Sequence, residues 1–291
     1  MKVFVTGASG FIGTAIVQGL MEAGHRVTGL ARSQESAEKI RAAGAEVLMG
    51  DLQSAGILQQ GVSSADGVIH TAFIHDFNQY ATAGEIDKAA IHAMGEALMG
   101  TGKPMVVTAG ILGLPAIDGV VTEESKATAS LRSSETAALT LAEAGVNASV
   151  IRLPPSVHDK GDRGFIPFII QQAKMKGISA YPDDGNNRWP AVHRQDAANL
   201  FIKALERSAR GALYNAIGDN GIPLIKIAAL IGEKLNTPLT SVSGDAMMSH
   251  FDWMSRFIAF DCPARAIQTQ SELDWNPVHL GLLEDMRKNY F

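Results

Sequence analysis

"VTGASGFIG" spans Val5 to Gly13 and carries a glycine at every third position, Gly7, Gly10 and Gly13. It follows the apolar run Val3-Phe4-Val5. Beyond it Ile12, Ile16 and Leu20 recur at four-residue spacing, the stripe of an amphipathic helix that Gly24 ends. A strand, a glycine-rich turn and a helix, in that order, make a device for holding phosphate. Glycine permits the tight turn and a close backbone approach, and the helix N-terminus offers unpaired N–H groups with a partial positive charge. The spacing is G-x-x-G-x-x-G, not the G-x-G-x-x-G of the general dinucleotide fingerprint, so the prediction of a dinucleotide rests on the strand-loop-helix context.

The same alternation continues outward from this loop. Short runs rich in Val, Ile and Leu stand at Val27–Leu30, Glu46–Met49, Gly67–His70, Met105–Thr108 and Ala148–Leu153, without strict polar alternation. Strands buried on both faces read this way, and helix-like segments between them imply a parallel sheet with right-handed crossovers. The expected fold is α/β, a doubly wound parallel sheet of the Rossmann type with a smaller C-terminal substrate lobe. Residues 1–155 are expected to form the cofactor-binding core. After Pro154-Pro155 the texture turns richer in turns, at Gly161–Gly164 and Tyr181–Trp189, and helix-like segments follow at 167–176, 223–235, 245–257 and 279–289. Residues 156–194 and 222–291 are assigned to the substrate lobe, with 195–221 returning to the core.

Composition sets outer limits. The chain has 291 residues, 46% of them hydrophobic, and a formal net charge of −5. No block of Lys and Arg stands out, which argues against a nucleic-acid partner. No apolar stretch approaches the roughly 18–20 residues of a membrane span, and a strand begins where a signal peptide would. Cys262 is the single cysteine. These features predict a cytoplasmic protein acting on a small molecule, and they leave its oligomeric state open. The eight histidines show no metal-ligand spacing such as H-E-x-x-H, so no metal is expected.

"VTGASGFIG", "GDL" at 50–52, "VIHTA" at 68–72, "VVTAG" at 106–110, "RLPPSVH" at 152–158 and "WPAVHRQDAA" at 189–198 together resemble the extended and atypical short-chain dehydrogenases, the NAD-dependent epimerase/dehydratase group. The resemblance implies that Gly7, Ser9, Gly10, Phe11, Ile12 and Gly13 line the cofactor pyrophosphate. It places Asp51 and Leu52 about the adenine, Thr71 and Ala72 along the ribose and nicotinamide side with Thr108, and Pro154 over the nicotinamide face. Read from its residues alone, Asp51 is equally a turn or helix-capping aspartate.

An NAD site usually places an acid after the second strand, to accept from the ribose 2′-hydroxyl. Here that strand ends "GLARS", so Arg32 and Ser33 stand in its place. A guanidinium binds a phosphate dianion through forked, charge-assisted hydrogen bonds, so NADP is expected over NAD.

The catalytic pattern that the resemblance implies is a Tyr-x-x-x-Lys pair one helical turn apart, with a Ser or Thr after the fifth strand. The sequence departs from it. Gly84, Gly185 and Gly218 lie four residues after Tyr80, Tyr181 and Tyr214, and Tyr290 is one residue from the end. The lysine position falls near Ser133 or Glu135. Ala109, Gly110 and Ile111 occupy the neighbourhood of the serine, with Thr108 about two positions early. Asp87 stands where the family often has an asparagine. The substitutes in view are His193, able to exchange protons near neutral pH, Thr108, Asp87, and Tyr80 with His75 after the fourth strand. Among these His193 ranks above the tyrosines, and an Arg132–Glu135 pair reads as a surface ion pair. The expected activity is that of an NADP-dependent oxidoreductase or epimerase-like enzyme on a small carbonyl or alcohol, with a non-standard proton donor. The alternative is an NADP(H)-binding sensor without catalysis.

Overall fold

A computed structural model describes residues 1–75, 79–127 and 133–291. Seven strands form one sheet in the order β10-β6-β5-β4-β1-β2-β3, with every pairing parallel. They are β1 (Lys2–Thr6), β2 (Arg26–Ala31), β3 (Glu46–Met49), β4 (Gly67–His70), β5 (Pro104–Gly110), β6 (Asn147–Leu153) and β10 (Leu213–Asn215). The fold is thus the doubly wound α/β sheet expected from the alternating runs. The chain builds β1 to β3 outward on one side and then returns to lay β4 beside β1. That reversal opens a crevice at the carboxyl ends of β1 and β4, where such sheets bind ligands.

β1 explains why the strands lack alternation. Val3 and Val5 enter one core cluster and Phe4 the opposite one, all within 1% of complete burial. On the first face lie α1 (Phe11–Glu22) and α7 (Arg194–Arg207). They approach so closely that a Cβ at Gly19 would stand 2.7 Å from Ile202 Cδ1. On the second face lie α3 (Ala55–Ser63), α4 (Tyr80–Leu98) and α5 (Ser134–Glu143). The helix α2 (Gln34–Ala42) joins β2 to β3.

Beyond β6 two small sheets form. β7 (Ser156–His158) pairs in parallel with β9 (Arg188–His193), and β11 (Asp219–Pro223) pairs antiparallel with β9. β8 (Ser179–Pro182) pairs with β12 (Leu239–Val242). Around them stand α6 (Phe165–Lys176), α8 (Leu224–Leu235), α9 (Gly244–Phe251), α10 (Ser255–Ile258), α11 (Ile267–Leu273) and α12 (Leu282–Asn289). A third core cluster, with Trp189 and Phe251 completely buried, fills this region.

Two segments differ from the sequence reading. The turn-rich Tyr181–Trp189 is a true turn only in its middle, with left-handed Asp183 and Gly185, and its ends belong to β8 and β9. The 245–257 segment is not one helix. α9 stops at Phe251 because Asp252 takes φ 50°, a short 3-10 turn follows over Asp252–Met254, and α10 starts anew. Among the described residues no helix is long and apolar enough to cross a membrane.

Candidate functional site: a glycine loop beside an aromatic wall

The glycines of the loop do different work. Gly7 has φ 72°, and a Cβ there would lie 2.6 Å from Thr71 Oγ1 and 2.7 Å from Ala72 N. A Cβ on Gly13 would lie 2.0 Å from Gly7 O. These two let β1, β4 and α1 close together. Gly10 is exposed, caps α1 in extended conformation without any side-chain bond, and α1 has no acid in its first turn. Phe11 and Ile12 are half-buried and Ser9 flanks them. The helix terminus therefore keeps its donors and its positive field for an anion, and the residues fit a dinucleotide pyrophosphate.

The neighbouring candidates converge on the same crevice. Thr71 N and Oγ1 donate to Thr6 O at 3.2 and 2.8 Å, and Ala72 N reaches Thr6 Oγ1 at 3.4 Å. Pro154 is buried just past β6. Asp51 Oδ1 accepts from Gln53 N at 2.9 Å and Ser54 Oγ at 2.8 Å, the turn geometry that was its alternative reading. The Ser54 bond, then the Gln53 one, lowers its pKa from the usual carboxylate value. Leu52 is half-buried against the second core cluster. Beyond β2, Arg32 is exposed and makes no ion pair among the described residues. Ser33 caps α2, accepting from Ser36 N at 3.2 Å. The acid nearest in sequence, Glu35, bonds Lys39 at 2.6 Å.

The catalytic candidates separate. Thr108 is 3% exposed and its hydroxyl donates to His70 O at 2.8 Å, inside the sheet. Asp87 is completely buried, accepts from Ser134 Oγ, and lies 2.9 Å from His70 Nε2, while His70 Nδ1 meets Thr6 Oγ1 at 2.7 Å. This chain of four buried polar side chains ties α5 and α4 to the ends of β4 and β1, beneath the glycine loop. Gly110 is exposed at the end of β5, and a Cβ there would meet only open space.

Arg132 lies outside the described residues. Glu135 is claimed by Arg152, whose guanidinium binds it twice at 2.8 and 2.7 Å and also donates to the carbonyls of Thr122, Glu123 and Ser125. Both side chains are buried, which a surface reading of Glu135 did not foresee. One signal was available, because an arginine inside the apolar strand "SVIRL" requires a buried partner.

His193 closes β9 and caps α7, its Nδ1 accepting from Gln195 N at 3.2 Å. Burial lowers its pKa, opposed by Asp159, 3.6 Å from Nε2. His193 stacks on His279 at 4.6 Å and 8°, and meets His158 edge-on at 5.5 Å. Tertiary folding thus groups His193 with Asp196 and His279, and with Asp159 and Asp285, which residue spacing did not announce. Parallel rings keep their in-plane lone pairs in separate planes, so His193 and His279 do not aim at one ion. Each acid already has protein partners, Asp196 with His279, Asp285 with His158 and Asp159 with Arg194. Arg194 in turn covers the Phe11 ring at 4.8 Å, tying this cluster to the glycine loop.

Tyr80 stands at the start of α4, half-buried, with its ring 5.5 Å from Phe73 and 6.4 Å from Phe257. His75 is exposed and lies 5.4 Å from Phe73, edge-on. Of the other tyrosines, Tyr214 is buried within β10, Tyr181 lies in β8, and Tyr290 donates to Asp162 at 2.8 Å.

Loop, helix terminus and sheet crevice define a Rossmann-type NAD(P)-binding protein. Residues 3–96 match the family described as the NAD dependent epimerase/dehydratase family. An uncharacterised protein of Schizosaccharomyces pombe is 45% identical over 294 residues, covering the whole of both chains. The chain belongs to one family with that protein, and its first third carries the epimerase/dehydratase match. A 4-hydroxy-2-methyl-3-oxo-4-farnesyl-3,4-dihydroquinoline-1-oxide ketoreductase of Stigmatella aurantiaca is 26% identical over 231 residues, 74% of this chain and 67% of its own. In fold the chain resembles the dTDP-glucose 4,6-dehydratase of Bacillus anthracis, solved in complex with NAD, with a TM-score of 0.76 at 18% identity over 100% of this chain and 96% of that one.

Proposed function

We propose that this protein is an NADPH-dependent reductase of carbonyl compounds whose proton donor is not a lysine-assisted tyrosine. One juxtaposition carries the reading: Thr71 and Ala72, bonded to Thr6 of the glycine-loop strand, run directly into Phe73, which meets the hydroxyl-bearing ring of Tyr80. Gly7, Ser9, Gly10, Phe11, Ile12 and Gly13 would hold the pyrophosphate, Arg32 and Ser33 the 2′-phosphate, and Thr71, Ala72 and Pro154 the nicotinamide end. When bound, NADPH supplies a hydride. The chain's own task is to place the carbonyl and to give a proton to its oxygen. Tyr80 is the better placed donor, because His193 spends Nδ1 as a helix cap and turns Nε2 toward Asp159. The ketoreductase name of the Stigmatella relative agrees with this direction of chemistry.

Two measurements test the proposal. Arg32→Ala is expected to weaken NADPH binding by about 1.5–3 kcal/mol and to leave NADH nearly untouched, the range for hydrogen bonds to a charged group. Tighter binding of NADH than NADPH by the wild type would sink the assignment of the 2′-phosphate to Arg32. In single-turnover hydride transfer, Tyr80→Phe is expected to lose about 10²-fold, the lower end of what a positioned acid supplies. His193→Gln should lose less. A Tyr80→Phe rate within several-fold of wild type removes Tyr80 as donor. Absence of hydride transfer to every carbonyl tried would favour the sensor reading, which the loss of both Tyr and Lys from the expected helix already motivates.

A further inference from the structure

Helices α1 and α7 run parallel and in step. Phe11 opens α1 and Arg194 opens α7, and the guanidinium carbon of Arg194 stands 4.8 Å from the centre of the Phe11 ring. The same offset leads along α1 to Gly19 and along α7 to Ile202, where a Cβ on Gly19 would meet Ile202 Cδ1 at 2.7 Å. The two N-termini therefore emerge side by side at the carboxyl edge of the sheet, and the first side chain of α7 lies over the first residue of α1.

The glycine loop needs a cation that its own sequence does not supply. From Thr6 to Glu22 there is neither Lys nor Arg. A dinucleotide pyrophosphate carries a negative charge on each of its phosphate groups, whereas a helix N-terminus offers about +0.5. Arg194 brings a full charge to the same place, and its fork is underused. Nη2 lies 3.1 Å from Asp159 Oδ2, and that carboxylate is shared, because its Oδ1 lies 3.6 Å from His193 Nε2. Among the described residues Arg194 Nε is buried without a hydrogen-bond partner. A buried donor left unpaired costs free energy, so this guanidinium gains from an acceptor that the protein does not provide. The side chain keeps 21% of its surface exposed, which leaves it within reach of an anion at the α1 terminus.

We infer that Arg194 is the cation that meets the cofactor pyrophosphate, reaching over Phe11 from the start of α7 to the start of α1, in competition with its contact to Asp159. This rests on the reading that a dinucleotide lies at the glycine loop, and it is independent of carbonyl reduction. Arg32 discriminates between cofactors by the 2′-phosphate. Arg194 serves the part that NADPH and NADH share.

Calorimetric titration of the full chain with NADPH and with NADH, at low and high salt, tests the assignment, and reduction of 2-butanone and acetophenone is followed separately. Arg194→Met keeps an apolar cover on Phe11 and removes the charge. It is expected to weaken both cofactors alike, by about 10- to 100-fold, and the loss should shrink as salt rises. Asp159→Asn removes the competing carboxylate, and is expected to hold the affinity or raise it by up to about fivefold. Arg194→Gln gives the same readout should Arg194→Met fold poorly. Wild-type affinity in the Arg194 variants overturns the inference. Equal weakening by Asp159→Asn and Arg194→Met also overturns it, because a pair that only braces the fold loses as much from either side. Arg194-dependent binding of both cofactors without reduction of either ketone keeps the inference and removes the reductase reading. Ketone reduction with unaltered cofactor affinity in Arg194→Met does the reverse, and a wild type that binds neither cofactor removes both.

Discussion

Replacing Gly10 by valine is expected to weaken NADPH binding by about 3–6 kcal/mol, two charge-assisted hydrogen bonds' worth, while the protein stays folded. The contrast with the other two glycines of the loop makes the experiment interpretable. Gly7 is left-handed and Gly13 abuts Gly7 O, so any side chain at either position disturbs the junction of β1, β4 and α1. Gly10 has φ −78° and ψ 174°, ordinary extended geometry, and a Cβ there would find only Gly7 O, at 3.1 Å. A valine at Gly10 requires Gly7 O to give by a few tenths of an ångström, a smaller demand than at Gly7 or Gly13, and its methyl groups would occupy the approach to the open N–H groups of α1. Calorimetric titration with NADPH reads the affinity, and a thermal scan without ligand confirms the fold. Equal affinity in variant and wild type would mean that the pyrophosphate does not sit at this loop.

The second large effect concerns stability. Glu135→Gln keeps the shape of the side chain and removes its charge, leaving the Arg152 guanidinium buried without a counter-charge. Breaking a buried pair in this way costs about 3–5 kcal/mol. At this chain length that corresponds to a fall of roughly 10 °C in Tm. The double variant Glu135→Met with Arg152→Met should recover part of the loss, since replacing both partners removes the uncompensated charge. Recovery stays incomplete because Arg152 also donates to the backbone carbonyls of Thr122, Glu123 and Ser125, which lead toward α5. Urea unfolding of the three proteins checks the series. A single-variant loss within about 1 kcal/mol would show that the pair is solvated and that Arg152 is not the anchor of this segment.

The two predictions mark different depths of legibility. The glycine loop is local. Val3–Val5, the three glycines and the Ile12–Ile16–Leu20 stripe lie within twenty residues, and strand, turn and helix follow from hydrophobic period and backbone freedom alone. The repeated apolar runs likewise announced the parallel sheet, because a strand covered on both faces must be apolar on both. The absence of Tyr-x-x-x-Lys was a matter of counting, and Arg32 in place of an acid a matter of charge.

What the sequence could not convey are relations between distant segments. Spacing alone cannot show that Glu135 meets Arg152, or that His70 and Asp87 join Ser134 to Thr6 beneath the loop. The strands β7 to β9, β11 and β12 are short and mixed in polarity, so they carry little periodic signal, and pairing across the small sheets decides them. The same holds for the aromatic wall. Trp253 and Phe257 lie in a stretch that reads as one helix, 245–257, and Tyr80 merely follows the fourth strand. Only the fold, by turning α10 toward the start of α4 and bringing α6 beside α10, sets these half-buried rings against one another. Hydrophobic period and turn chemistry act over a few residues and are written in the chain. The partner of a buried charge and the neighbour of a half-buried ring are chosen by packing, which exists only once the chain has folded.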